Sequence, residues 1–343
     1  MSTHLERGAP RTSFSGRATR LSRRFRDTTR QEGLPVAMSK VAGKVWRKLK
    51  AQVAPPVPSP PPAVSRPSVE DRLKIEKVYR RQRDFRLGDL LACPNCGSPR
   101  LTIDEEQASC SDCGVDYPRR YGTYLFAKPA SSICSKLEEP CFTHEYSHDS
   151  TELIRKYRRG VVLDYGAGHT HPDRLHPNVV LHEAVHYDSV DVVSLTPRLP
   201  YRDNCFDAII SQAVFEHVPR PWEVAAELHR ILKPGGEIHI DTAFMQPYHS
   251  DPYHFFNMTI PGVREVFRQF REVRVGVKPY QLPSFGYRMQ LEVLLGHMAP
   301  GVWQDRMKKL LGELQRDGAG FDRSLDLDGQ TFLAAGVFFH GIK

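Results

Sequence analysis

Residues 160–170 read GVVLDYGAGHT. Val161, Val162 and Leu163 form a continuous apolar run, as expected for a strand buried on both faces. Asp164 closes the run, and Gly166 and Gly168 follow, where a missing Cβ lets the backbone approach a ligand. A G-x-G turn alone is weak evidence, and the order of later segments decides its meaning. NVVLHEAV (178–185) reads as a second strand carrying Glu183, VDVVS (190–194) as a third and FDAIIS (206–211) as a fourth. PWEVAAELHRIL (221–232) has the spacing of an amphipathic helix with Pro221 near its start. KPGGEIHIDT (233–242) turns through two glycines into a fifth strand. Strands alternating with helices predict a doubly wound α/β sheet, with the ligand at the carboxyl ends of the strands. Further on, 259–270 is expected to be a helix and 273–279 a strand. A helical insertion is expected over 286–316 with a break at Pro300–Gly301, then a final strand in 331–343. The insertion is the expected substrate-shaping lid.

Ahead of this sheet, GDLLACPNCGSPRLTIDEEQASCSDCGVDYPRRYGTYLF begins at 88. Cys93 and Cys96 form one C-x-x-C, and Cys110 and Cys113 form another. Gly97 and Gly114 follow directly, allowing each knuckle to curl its N–H groups toward the thiolates. Four thiolates suit a structural Zn²⁺ with no open position, and some forty residues need metal to hold a fold. Cys134, Cys141 and Cys205 lack such spacing and are expected to be ordinary thiols.

Charge is unevenly placed along the 343 residues, which hold 48 Lys/Arg and 40 Asp/Glu. Residues 1–67 carry 14 basic and 3 acidic residues, a net of +11, and the remainder is net −3. The basic character therefore belongs to the tail and gives no reason to read the folded part as a phosphate binder. Residues 1–37 are expected to be disordered. Residues 38–52 read as a short basic amphipathic helix able to lie on an anionic membrane surface, and 54–67 as a Pro-rich spacer. Met38 is an alternative start. A helix is expected over 69–87. No apolar run approaches the roughly 18–20 residues of a membrane-spanning helix, and the first forty residues lack the apolar core of a signal peptide. Two C-x-x-C pairs within an odd total of seven cysteines indicate a reducing, cytoplasmic setting, peripheral to a membrane if the tail docks there.

The segments VVLDYGAG, LPYRDNCFDAIISQAVFEHV and ELHRILKPGGEIHI resemble the class I S-adenosylmethionine-dependent methyltransferases, type 11 group, over about 158–275. LLACPNCGSP…CSDCGVDYPRRYGTYLF resembles the small zinc-ribbon proteins that activate methyltransferases, over roughly 87–129. These resemblances imply a seven-stranded Rossmann-like sheet in 140–343, a zinc-ribbon domain in 68–130, and the tail in 1–67. They also imply S-adenosylmethionine and structural Zn²⁺ as cofactors. The turn at Gly166 and Gly168 would pass beneath the amino-acid part and ribose, with Asp164 orienting it. Glu183 would accept the ribose hydroxyls, and Gln212 would border the site. Two positions depart from the family pattern: Thr170 replaces a third glycine, and Leu195 replaces an acidic residue near the adenine amine.

Acceptor-side candidates follow the fourth and fifth strands: Gln212, Glu216 and His217, then His249, Asp251, Tyr253 and His254. His249 and His217 titrate near neutral pH and suit a general base. The expected function is methylation of a small-molecule or glycan-type acceptor, a reading to which FMQPYHSDPYHFFNMT (244–259) adds through resemblance to a group associated with cell-surface polysaccharides. Two alternatives stand beside it. One is a tRNA- or rRNA-directed methyltransferase. The other is a non-catalytic, methyltransferase-shaped binding module.

Overall fold

The structure, a computed structural model, describes residues 83–126, 145–170, 175–187, 189–194, 197–249 and 253–343. The basic tail, the expected 38–52 helix, most of the 69–87 helix, Cys134, Cys141, Leu195 and Asp251 lie outside these residues. Residues 249–254 fall outside the main compact unit, which comprises 56–248 and 255–343. No helix among the described residues is long and apolar enough to cross a membrane.

Eleven strands form one sheet, seven of them from the 140–343 segment and four from the cysteine segment, which joins the sheet instead of standing apart from it. They are β1 (Leu101–Ile103), β2 (Gln107–Cys110), β3 (Asp116–Arg120), β4 (Thr123–Phe126), β5 (Val162–Tyr165) and β6 (Val179–Glu183). β7 (Val192–Ser194), β8 (Phe206–Gln212), β9 (Leu232–Ala243), β10 (Arg271–Gly276) and β11 (Gly336–Ile342) complete it. The order across the sheet is β1-β2-β3-β4-β7-β6-β5-β8-β9-β11-β10. From β4 to β9 the neighbours run parallel, and β11 inserts antiparallel between β9 and β10.

The four added strands belong to the cysteine segment. β1 to β3 form an antiparallel meander, and β3 turns into β4 through Tyr121 and Gly122, both at positive φ. Two left-handed residues are what a tight hairpin requires. β4 then pairs with β7, Tyr124 opposite Val192 and Phe126 opposite Ser194. Every residue of β4 is buried, and the pairing covers an edge that β7 would otherwise expose.

Alternate residues of the central strands feed two cores, as a pleated strand dictates. On one face Leu163, Val180, Ile209 and Ile240 pack with α2 (Pro221–Ile231), α3 (Ile260–Val266) and the cysteine segment. Cys93, Cys110, Tyr117 and Phe126 share that core with Tyr201 and Phe206. On the other face Val162, Val179, Ala208 and Ile210 meet Leu153 and Ile154 of α1 (His148–Lys156). The expected alternation of strand and helix is only partly realised. Among the described residues no helix joins β5 to β6, β6 to β7 or β7 to β8. Eight residues separate β6 from β7, and Pro177, Pro197 and Pro200 withhold N–H groups from the other two links. The β7–β8 link instead runs beside the ribbon. Leu91 bridges Tyr201, and the Ala92 and Arg202 N–H groups donate to Pro200 and Leu90 carbonyls at 3.1 and 2.8 Å.

Residues 83–86, the end of the expected 69–87 helix, are not helical, and Leu87–Leu90 form a 3₁₀ turn. Arg83 nevertheless has a task. Its guanidinium grips both oxygens of Asp191 at 3.0 and 2.6 Å and also donates to the Val179 carbonyl. The insertion before the last strand comprises α4 (Pro283–His297), α5 (Val302–Arg323) and α6 (Leu327–Phe332). The first two pack through Leu291, Leu295, Leu311 and Leu314. The last strand starts at Gly336, later than expected, because α6 takes the residues before it.

Candidate functional site

The carboxyl ends of β5, β6 and β8 lie side by side. Asp164 occupies the end of β5, 5% exposed, and its Oδ2 accepts the Tyr146 hydroxyl at 2.7 Å. Burial drives its pKa up to about 7; the Tyr146 bond opposes that rise, and the Glu183 charge adds to it. The chain then turns through Gly166 (φ 81) and Gly168 (φ 57). Both the Gly166 and Ala167 N–H groups donate to the His182 carbonyl on β6. Glu183, at the tip of β6, accepts from Gly168 N–H at 2.9 Å and Ala184 N–H at 2.7 Å. Burial also raises the Glu183 pKa, against these backbone bonds and the pull of His217. Thr170 is buried, its backbone N–H donates to Ser189 Oγ at 3.2 Å and its hydroxyl to the Ala167 carbonyl at 3.4 Å, so the side chain braces the turn.

Tyr146 and Ser147 were not singled out in the sequence. Ser147 caps α1 with its side chain, accepting from Ser150 N–H, and its own N–H donates to Gln212 Oε1 at 3.1 Å. The entry to α1 therefore touches the ends of both β5 and β8. A serine just ahead of a charged, amphipathic stretch was the available signal.

The need for glycine at 166 is internal to the protein. A Cβ there would stand 2.7 Å from Val214 Cγ1, on a backbone that L residues rarely adopt. Gly166→Ala is expected to cost about 2–3 kcal/mol, as overpacking plus left-handed strain. Urea denaturation of the full chain checks this, and a loss under about 0.5 kcal/mol would show that Val214 yields freely.

The four cysteines converge. Their sulfurs all lie within 4.8 Å of one another, with Cys93 and Cys113 at 3.6 Å and Cys96 and Cys110 at 3.5 Å. Tetrahedral ligands about 2.3 Å from a zinc ion stand about 3.8 Å apart, so the set fits that metal. The two knuckles repeat one geometry. Gly97 N–H donates to the Cys93 carbonyl and Gly114 N–H to that of Cys110, with both glycines at positive φ. The Cys113 thiol is drawn down to about 6, first by the Asn95 side chain and then by the Val115 N–H.

Residues 174–240 match the Methyltransf_11 family, a methyltransferase domain. A stretch of 51 residues is 41% identical to an uncharacterized methyltransferase of Mycobacterium tuberculosis, covering 15% of this chain and 20% of that one. A Mycobacterium avium relative, also an uncharacterized methyltransferase, is 50% identical over 38 residues, 11% of this chain and 15% of its own. The match thus spans about a fifth of these relatives' length. Among solved structures, YcgJ of Bacillus subtilis aligns at 18% identity over 57% of this chain and 99% of that one, with a TM-score of 0.35. A chain of the complex between the Haloferax volcanii Trm112 methyltransferase activator and a methyltransferase aligns at 14% identity over 57% and 88%, with a TM-score of 0.36.

Phe215–His217 form a 3₁₀ turn just beyond β8. Glu216 is 1% exposed and accepts the Thr242 hydroxyl at 3.0 Å, and its carbonyl receives Phe255 N–H at 2.7 Å. It ties β8 to β9. His217 is half-buried beside it. Outside the main unit, His249 N–H donates to His254 Nδ1 at 3.2 Å, and the two rings stand 4.3 Å apart.

Proposed function

We propose that the chain is an S-adenosylmethionine-dependent methyltransferase with a zinc-bound ribbon, acting on a small-molecule or glycan-type acceptor. The observation that carries this reading is the buried Asp164 carboxyl beside the Gly168–Glu183 bond, at the ends of adjacent parallel strands. A carboxylate kept this dry favours a cationic group next to it. Bound S-adenosylmethionine supplies an electrophilic methyl group on a sulfonium. Asp164 would hold its ammonium, Glu183 its ribose hydroxyls, and the backbone of Gly166 and Gly168 its amino-acid part. Gln212 would border the pocket. His217 or His249 would take the acceptor's proton, with Glu216 positioning the turn that carries His217. Positioning dominates such a reaction, and a base is needed only when the acceptor carries a proton. Cys93, Cys96, Cys110 and Cys113 would hold the Zn²⁺. The RNA-directed reading has less support, since the basic charge sits in the tail.

Calorimetric titration of the zinc-loaded full chain with S-adenosylmethionine and its demethylated product tests the reading. Micromolar binding is expected near pH 8, weakened at least about tenfold by Glu183→Ala. The pH dependence has a defined sign. With Asp164 titrating at about 7, a proton must leave it before a cation binds. Affinity is therefore expected to fall by up to about tenfold per unit as pH drops below 7. No binding by a folded, zinc-loaded chain would replace the enzyme reading with the binding module.

A further inference from the structure

Beyond β9 the chain passes Phe244, Met245 and Gln246 and lines a cavity of about 620 Å³ against α4. That volume lies inside the roughly 300–1,000 Å³ range of small-molecule sites. Because β5, β8 and β9 run parallel, this cavity opens from the same edge of the sheet as the glycine turn. We propose that it binds the acceptor, and that the acceptor is an uncharged molecule with an apolar body and hydroxyl or N–H donors. The inference rests on the methyltransferase reading for the word acceptor, but not for the binding site.

Two features define the ligand. Met245, Leu291 and Leu294 give the cavity apolar walls, and no lysine, arginine or carboxylate among the described residues lines it. A phosphate or carboxylate placed there would lose water and meet no lysine or arginine, the His297 ring being the one lining side chain among the described residues able to supply a counter-charge. Three side-chain amides supply the polarity. Gln290 Nε2 donates to the Met245 carbonyl, Asn257 Nδ2 to that of Gln246, and Gln246 Nε2 to that of Ala335, each at 3.0 Å. Each amide is thereby held in one orientation, and an amide oxygen accepts from a hydroxyl or N–H. The wall itself is firm, because Leu291 and Leu295 of α4 are locked against Leu311 and Leu314 of α5. Leu294, on the same helix, is 44% exposed and faces the opening.

The experiment uses the full chain and N-phenyl-1-naphthylamine, a neutral aromatic probe with one N–H donor whose fluorescence rises in apolar surroundings. Micromolar binding is expected, weakened about tenfold or more by Leu294→Glu. Since Leu294 is outside the α4–α5 core, that variant should keep the parent's melting temperature. Octyl glucoside, kept below its micelle concentration, should displace the probe at about a tenth of the octyl phosphate concentration needed. Equal or better displacement by octyl phosphate would overturn the uncharged class, and unchanged affinity in a folded Leu294→Glu variant would overturn the site. Probe binding needs no cofactor. A chain that binds probe as expected but not S-adenosylmethionine defeats the methyltransferase reading alone; one that binds S-adenosylmethionine but not probe defeats this inference alone.

Discussion

With zinc held by the four cysteines as proposed, removing it by chelation or by Cys93→Ser is expected to unfold the sheet together with the ribbon in one transition. Cys93 is fully buried and shares its core with Tyr201 and Phe206 of the sheet. Tyr117 stands 3.3 Å from the Cys93 sulfur and packs its ring 4.9 Å from Phe126, the last residue of β4. Freed knuckles would release β4 from β7 and open that core to water. Structural zinc supplies about 10–16 kcal/mol in zinc-finger peptides, comparable to the roughly 5–15 kcal/mol net stability of a whole domain. The melting temperature of the full chain should fall by more than about 15 °C, read by circular dichroism and tyrosine fluorescence together. If the sheet melted at its usual temperature after the ribbon had already unfolded, the shared core would not be a cooperative unit.

Asp191→Ala should have the next largest effect. Asp191 is fully buried, as is nearly all of Arg83, and the carboxylate also accepts Leu181 N–H at 2.9 Å. Taking away one partner strands a guanidinium in a dry setting, at about 3–5 kcal/mol. Replacing both, as Arg83→Met with Asp191→Leu, should restore much of the loss, because an apolar pair has no charge to desolvate. Guanidinium denaturation of the two variants separates the cases. Equal stability of the single and double variants would mean that the Leu181 bond, and not the stranded charge, sets the cost.

The proposed cofactor side was legible to the extent that it lay in one stretch. Asp164, Gly166, Gly168 and Glu183 come from two strands and the turn between them, and a parallel pairing of those strands brings them together. Gly166 carries a second constraint that the local sequence does not show. Its neighbour is Val214 on the next strand's exit, and no local pattern reveals a contact across 48 positions. Tyr146 is likewise remote from Asp164 in sequence, and its hydroxyl reaches the carboxylate only because α1 packs under β5 and β8. Among the described residues no helix lies between β5 and β8, which a plain alternation of strand and helix does not foresee. The prolines and the short β6–β7 link argued otherwise and could have been weighed.

What the amino-acid order determined by itself was local chemistry. Apolar runs specify buried strands, glycines at left-handed positions specify the turn and knuckles, and two C-x-x-C pairs specify a tetrahedral thiolate set. Each depends on neighbours within a few residues, so each can be read along the chain. Tertiary structure alone decided that β4 would zip onto β7, that Arg83 would find Asp191, and that α4 would wall a cavity beyond β9. Backbone N–H and C=O groups are the same in every strand, so an edge carries no sequence label for its partner. Which edges meet is settled by the core that closes around them, here the one Cys93, Tyr117 and Phe126 share with Tyr201.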